Sequence, residues 1–499
     1  MLVRSIVFAA SFVGISMVVE PRELLSKVSR RLSVRRKARN VHRISRLEEL
    51  ESAGEYSLLL QERLGLLNLR GKAVQFRTIN QLKLFEHLLR EVEDSSDVPR
   101  RKVENAVPLY YVSSSLPFTN SGYSLRTAHL AAATKAAGVA IEAVTRVGYP
   151  VVAGKIALKQ SSFIEGVQYS RLIPWFHIPS AVRRIDRATE QLQKFVQVRN
   201  TTILHTTTDF ENAAIVRRVA NELQIPWIYE IRGEREKTWL SNPTLKGRER
   251  QTSSENYQIR RNLETKYAQA ADGVIALSEV SKNDLIERGV PSHKIHVVPN
   301  SVSEKLLNLK IDKQLLRTEL GLDDGVWIGA ITAVVGYEGL DTMLLGLLEL
   351  PENLKLVVVG SGDSLTRLKK LAEDIGVLPR VWFVGKVEHD QVWKWYASID
   401  ALVVPRRNDP VCRTVTPLKP LEAMALGIPV VASDLPALRE VTGSRACYFE
   451  ADNPKDLAEK IIEVLAGLYD YGGAREWAKT RSWKHSAAEL RLVYEKFTK

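Results

Sequence analysis

Hydrophobic positions along the chain follow two different periods. Leu82, Phe85, Leu88, Leu89 and Val92 recur at three- and four-residue steps, with Lys83, Glu86 and Arg90 off the stripe, which is one apolar face of a helix. Residues 1–100 read mainly as helix, and the acidic run 91–97 followed by Pro99 reads as a linker. From Val107 the pattern changes to short apolar runs separated by amphipathic stretches. Strands are predicted at 107–113, 141–145, 202–205, 227–231, 273–277 and 295–298, with a helix over 125–137 that stops at Gly138. After Pro299-Asn300 the series restarts, with strands at 326–332, 354–359, 381–384, 401–404 and 430–432. Helices are predicted at 340–350, 364–376, 392–397 and 421–426, followed by a long helical tail. Strands alternating with helices imply right-handed crossovers and parallel sheets. The expected class is therefore α/β, with two Rossmann-like doubly wound lobes behind a helical N-terminal extension. The expected boundaries are 1–104 for the basic extension, 105–300 and 301–475 for the lobes, and 476–499 for a C-terminal helix packing back on the first lobe.

Composition narrows the class without choosing a function. A length of 499 residues suggests two or three domains, at about 100–200 residues each. Hydrophobic residues at 45% and charged residues at 26% exclude a disordered, collagen-like or low-complexity chain. Cys412 and Cys447 are the only cysteines, so neither a disulfide framework nor a cysteine-based zinc site is available; they read as free thiols of a reducing compartment.

The formal net charge of +13 is concentrated near the start. Between Pro21 and Arg46 there are ten basic residues against one acid, Glu23, and the remainder is only mildly basic. That distribution does not describe a nucleic-acid-binding body. The segment is either a solvated tail or a patch for anionic lipid headgroups, where each Lys or Arg contributes about 1 kcal/mol. The uncharged apolar run 5–19 is shorter than the roughly 20 residues of a membrane span. Three readings stay open for it: an interfacial or anchoring helix, a buried first helix or strand, and a cleaved signal, for which Arg4 alone and Ser16-Met17-Val18 are poor features. The expected location is cytoplasmic, peripheral at the inner face of a membrane.

Doubly wound lobes place ligands at the carboxyl ends of their strands. Gly360-Ser361-Gly362-Asp363 closes the strand 354–359 and opens a helix, a turn whose amides can approach an anion. Leu365 stands where a dinucleotide fingerprint has its third glycine, so a nicotinamide site is not indicated. The richest stretch is 406–426. There Arg406, Arg407, Arg413 and Lys419 meet the hydroxyls of Thr414 and Thr416 at a strand end, before a helix marked by Pro417 and Pro420. Cations and hydroxyls at a helix start make a pyrophosphate site in physical terms, with Glu422 placed for ribose hydroxyls; the alternative is a solvated basic loop.

With these residues in view, the chain resembles the retaining glycosyltransferases of the GT-B fold, specifically family 4. Gly122-Tyr123-Ser124-Leu125-Arg126 resembles the family's glycine loop and helix start in the N-terminal lobe. Residues 271–278 and 289–300 resemble its interlobe segment, and residues 337–341 and 416–425 (TPLKPLEAMA) one branch of its donor lobe. The resemblance covers about 107–473. It implies a nucleotide diphosphate sugar as donor substrate, no cofactor, no metal, and a sugar or lipid-linked acceptor. The donor side would comprise Glu422, Thr414, Thr416, Pro417, Leu418, Arg406, Gly360, Gly362 and Val387, and the acceptor-side loop Gly122, Tyr123, Arg126 and His205. Glu422 matches the second of two family glutamates, while the first falls on Thr414. Glu338 stands at a family lysine, and Arg232 where many members place a histidine.

As diphosphate departs, Arg232, Arg413 and Lys419 would stabilise its growing charge, and in the family the departing phosphate takes the acceptor's proton. Arg232 would act only electrostatically, since a guanidinium does not deprotonate at physiological pH. No Asp-x-Asp motif for a metal is present. Three alternatives are weighed: a non-catalytic GT-B nucleotide-binding or scaffold subunit, a GT-B epimerase, whose acid–base residues are not evident, and a nucleic-acid binder, which lacks aromatic interleaving. Donor base, sugar, acceptor and oligomeric state are not legible.

Overall fold

A computed structural model of the chain describes residues 1–19, 46–61, 69–94, 100–241 and 250–499. These form two compact units. The first comprises Met1–Ile275, Leu285–His296 and Leu490–Lys499; the second comprises Ala276–Asp284 and Val297–Glu489.

The first unit holds β1 (Pro108–Val112), β2 (Glu142–Thr145), β3 (Ser161–Ile164), β4 (Val167–Arg171), β5 (Ile203–Thr207), β6 (Trp227–Ile231), β7 (Gly273–Ala276) and β8 (Ile295–Val297). Their order in the sheet is β3-β4-β2-β1-β5-β6-β7-β8. β1 and β6 are buried at every position, which is why they read as apolar runs, broken only by Glu230 in β6. The chain reverses direction of growth between β1 and β5, the switch point of a doubly wound sheet. The sheet is not wholly parallel as predicted. β3 and β4 form an antiparallel hairpin whose turn residues Glu165 and Gly166 both have left-handed backbone, φ 48° and 79°.

The extension belongs to this unit as the helices Leu2–Val19, Arg46–Ala53, Tyr56–Leu60 and Leu69–Asp94. In the last of these Leu84, Phe85, Leu88 and Val92 are buried, with Phe85 edge-on to Phe210 at 5.9 Å between ring centroids. This helix continues to Asp94 and Glu91 holds Arg218, so the start of the predicted acidic linker is helical instead. The first helix buries Phe8 against Val151, Ala157 and Ile173, and Ser5 donates to the Ala157 carbonyl at 3.0 Å, while Leu2, Val3 and Ile6 stay exposed. Of the readings for 5–19, this is a helix packed by one face. Among the described residues no helix is long and apolar enough to cross a membrane. The basic segment lies, apart from Arg46, outside the described residues.

The second unit holds β9 (Val326–Ile331), β10 (Leu354–Val359), β11 (Val381–Gly385), β12 (Ala401–Val404), β13 (Val430–Ser433) and β14 (Cys447–Phe449). All pair in parallel in the order β11-β10-β9-β12-β13-β14. Alternate residues face opposite sides: Val357, Val359, Leu402 and Val404 join one apolar cluster, Leu356, Val358, Ala401 and Val403 the other. β14 lies inside what the sequence pattern gives as helical tail; three residues are too few to show a strand period.

Candidate functional site

In the second unit a charged cluster sits at the switch point, beyond the carboxyl ends of β9 and β12. Thr332 follows β9, Glu338 lies in the turn Gly336–Glu338, Arg406 follows β12, and Lys419 opens the helix Lys419–Ala425. Glu338 ties them together. Its carboxylate accepts from Arg406 at 2.9 Å and from Lys419 at 3.3 Å, and Lys419 also donates to the Thr332 hydroxyl. Burial opposes the charged form of Glu338, but the adjacent Arg406 and Lys419 outweigh it and hold the carboxyl down to about 2. Burial pushes the Lys419 ammonium below its usual range, and Glu338 offsets part of that.

Arg406 and Lys419 thus do meet at this turn, and share a counter-charge supplied by the chain itself. Arg406 is buried, bound to Glu338 and to the Val415 carbonyl at 2.9 Å, because a guanidinium leaves water only with a counter-charge and acceptors. Lys419 shares the same carboxylate but keeps a quarter of its side chain exposed. Arg413 is held at the surface by Asn408 at 2.9 Å, and Arg407 reaches the Gly336 carbonyl and Asp341. Glu422, one turn into the helix, accepts from the buried Tyr396 hydroxyl at 2.9 Å, which fixes the carboxylate's direction. Thr414 returns its hydroxyl to the Pro410 carbonyl, whereas the buried Thr416 Oγ1 has no partner and its carbonyl accepts from Asn300 at 2.9 Å. Pro417 and Leu418 lead into the helix, with Leu418 at its cap position.

Gly360 and Gly362 have a steric reason for being glycine. A Cβ at Gly360, where φ is 142°, would lie 1.8 Å from the Thr332 carbonyl oxygen, and one at Gly362 would lie 2.1 Å from that of Val334. The turn after β10 therefore presses its backbone onto the loop after β9, beside the Lys419–Thr332 pair. Val387 is partly buried and packs against the apolar core of this unit.

In the first unit a cavity of about 220 Å³ opens beyond the carboxyl ends of β1, β5 and β6, lined among others by Ser113, Ser114, Tyr123, Thr208, Arg232 and Arg235. Tyr123 stands at the start of the helix Gly122–Ala136, which Ser121 caps by accepting from the Ser124 amide. A Cβ on Gly233 would lie 2.0 Å from the Tyr123 hydroxyl, so glycine there admits that ring. Gly122 has open space around it. Below the cavity Glu230 anchors a buried network: Arg232 at 2.8 Å, Arg126 at 2.7 Å and the Tyr110 hydroxyl. Arg232 donates further to the Tyr123 carbonyl at 2.8 Å and to Thr127 at 2.7 Å. It lines the cavity, but these partners neutralise it.

Two predicted acceptor-side residues do not reach the cavity. Arg126 is fully buried on Glu230. His205 stacks on Tyr110 at 4.1 Å and places Nδ1 2.7 Å from the Tyr494 hydroxyl. Burial, aided by Arg232 and Arg126 and opposed by Glu230, lowers His205 to about 3, so it is a neutral core histidine. Residues that sequence reading passed over are Tyr396, Asn300, Tyr110 and Tyr494; each acts across a separation that no local motif spans.

Residues 121–301 match the family described as glycosyl transferase 4-like domain, and residues 325–467 that described as glycosyl transferases group 1. The chain thus carries two segments that match glycosyl transferase domain models, within two Rossmann-like lobes of GT-B type. Among solved GT-B structures, sucrose-phosphate synthase of Thermosynechococcus elongatus aligns with a TM-score of 0.64 at 19% identity, covering 78% of this chain and 98% of that one. HepE of Anabaena in complex with UDP aligns at 0.59 and 15% identity, covering 78% and 99%. An uncharacterized glycosyltransferase of Methanocaldococcus jannaschii is 30% identical over 237 residues, 44% of this chain and 59% of the relative. The D-inositol 3-phosphate glycosyltransferase of Xylanimonas cellulosilytica is 29% identical, covering 46% and 58%, and the alpha-monoglucosyldiacylglycerol synthase of Streptococcus pneumoniae 27%, covering 54% and 60%. The chain thus spans about three fifths of the length of these curated relatives. Its extension, residues 1–94, lies outside both GT-B domain matches.

Proposed function

We propose that this chain transfers a sugar from a nucleotide diphosphate sugar to an acceptor hydroxyl, with retention at the anomeric carbon and without a metal. The observation that carries the reading is the cluster at the β9–β12 switch point, where the partly exposed Lys419 ammonium and the Glu422 carboxylate stand one turn apart on one helix. In the reaction the anomeric carbon–phosphate oxygen bond breaks as a bond to the acceptor oxygen forms on the same face. The acceptor proton passes to the departing phosphate. Lys419 and Arg413 stabilise the charge that grows on the diphosphate, and Glu422 accepts from the ribose. The UDP held by the Anabaena neighbour supports a uridine donor, and the relatives named as a D-inositol 3-phosphate glycosyltransferase and an alpha-monoglucosyldiacylglycerol synthase support an acceptor in glycolipid or surface-polysaccharide assembly. A peripheral position at the cytoplasmic face of a membrane, through residues 1–46, belongs to the same proposal.

A second reading has one specific observation behind it. Glu338 cancels much of the charge that Arg406 and Lys419 would offer a diphosphate, as expected of a GT-B subunit that binds a partner or nucleotide without turnover. The test is incubation of the purified chain with UDP-glucose, UDP-galactose and GDP-mannose, with and without EDTA, reading nucleoside diphosphate release and product anomer by NMR. Release from one donor, unchanged by EDTA and reduced at least a hundredfold by Lys419→Ala, is the expected result. No release from any donor while nucleotide still binds would select the second reading.

A further inference from the structure

The larger cavity of the first unit is walled partly by the extension that neither GT-B domain match includes. It measures about 450 Å³, within the range of small-ligand sites. Phe8 and Phe12 of the first helix and Thr78 and Gln81 of the helix Leu69–Asp94 face it from one side. Arg146, directly after β2, and Glu211, after β5, face it from the other. We propose that the extension and the first lobe together enclose a binding site for an amphiphile, an alkyl-type chain carrying a phosphate-class headgroup. Its role as acceptor rests on the sugar-transfer reading above; the binding does not.

Three features fit that ligand. The first is an apolar wall that continues to the surface. Phe8, Phe12, Val152 and Ile178 line the cavity with Phe176, which is 65% exposed. Trp175 beside it is also exposed, with the Arg4 guanidinium 5.0 Å from its ring, and Leu2, Val3 and Ile6 are exposed on the helix that carries Phe8. Such a rim suits a chain whose far end leaves the protein.

The second feature is the charge balance. Of the lining carboxylates, Glu51 is bound by Arg77 and Asp209 by Arg235, leaving Glu211. Against it stand Arg146, Arg184, Arg187 and Arg260. Arg184 donates to the Ile178 and Pro179 carbonyls, Arg187 pairs with Glu190 and Arg260 binds Asn256 Oδ1, whereas exposed Arg146 makes no close ion pair among the described residues and acts on Glu211 only through space. The surplus is positive and suits a phosphate.

The third feature is a set of polar atoms without partners. Thr78 is 2% exposed and its Oγ1 makes no hydrogen bond, nor does the buried Gln81 Nε2. Buried donors are ordinarily paired, and these two sit without partners in the cavity's wall.

The test is isothermal titration of the full chain, free of nucleotide, with dodecyl phosphate, dodecyl maltoside and inorganic phosphate below micellar concentration. Dodecyl phosphate should bind saturably at one site, and the other two at least tenfold more weakly. Arg146→Gln, at an exposed position, and Phe12→Ser, with its fold checked by circular dichroism, should each weaken dodecyl phosphate at least tenfold. No saturable binding, binding of the maltoside as tight as the phosphate, or Arg146→Gln within twofold of wild type would overturn the proposal. With no nucleotide present, the outcome is independent of whether the second lobe holds a donor.

Discussion

Glu338 sets how much positive charge the second lobe presents at its switch point. Its pairing with Arg406 spans 68 residues of sequence and that with Lys419 spans 81, so no local motif announces it. Removing it leaves a buried guanidinium without a counter-charge. Glu338→Gln should therefore destabilise the chain by about 3–5 kcal/mol, read from urea unfolding, even though it frees Lys419. An unchanged midpoint would mean that Arg406 finds water or another acceptor. The sign of the pH dependence is the usual carboxylate one: the contribution is present above the ordinary carboxylate range and fades as pH falls toward 2. Glu264 behaves oppositely. Burial, with Glu236 and Asp209 nearby, pushes it up to about 8, and it accepts from Tyr229 and from the Phe210 amide. Stability it confers is complete below the ordinary carboxylate range and is lost as pH rises toward 8. Glu264→Gln should flatten the fall in unfolding free energy between pH 5 and pH 8, each tenfold change in proton affinity counting for about 1.4 kcal/mol. A pH profile identical to wild type would contradict it.

Elements differ in how far their residues disclose them. β6 and β10 are mainly apolar because both sheet faces are covered, interrupted only by Glu230 and Lys355, and their predicted bounds coincide with the observed ones. The β3–β4 hairpin carries Ser161 and Ser162 on an edge strand and is held by a Glu-Gly turn rather than by a period, and β14 has only three residues. The Gly360-Ser361-Gly362 turn was legible as a close backbone approach, but what approaches is the chain's own 332–334 loop. Two glycine substitutions separate these cases. Gly360→Ala should cost well over 2 kcal/mol, since its Cβ meets a carbonyl and φ is left-handed, whereas Gly122→Ala, in open space at a helix start, should leave the melting temperature within about 2 °C. Similar shifts for both would refute the steric account. At the other end of the chain, Tyr494 supplies the hydroxyl at His205 Nδ1, so Tyr494→Phe should destabilise by about 1–3 kcal/mol through an unpaired buried imidazole nitrogen.

At the scale of the whole molecule, the restart of the strand–helix series after Pro299-Asn300 was enough to give two doubly wound units, because each sheet's order follows from its crossovers. The site was legible only in part. Lys419, Glu422 and Arg232 lie where strand ends and helix starts place them, but burial decides which charges remain available, and burial is a property of the folded unit. The central claim is that the second unit holds a nucleotide donor at Lys419 and Glu422. Thermal unfolding with UDP, GDP, ADP and their sugar conjugates tests it most directly. One nucleoside diphosphate at a hundred times its Kd should stabilise the wild type by about 2.7 kcal/mol. That shift should vanish in both Lys419→Ala and Glu422→Ala. A shift of equal size in both variants, or none with any nucleotide, would contradict the claim.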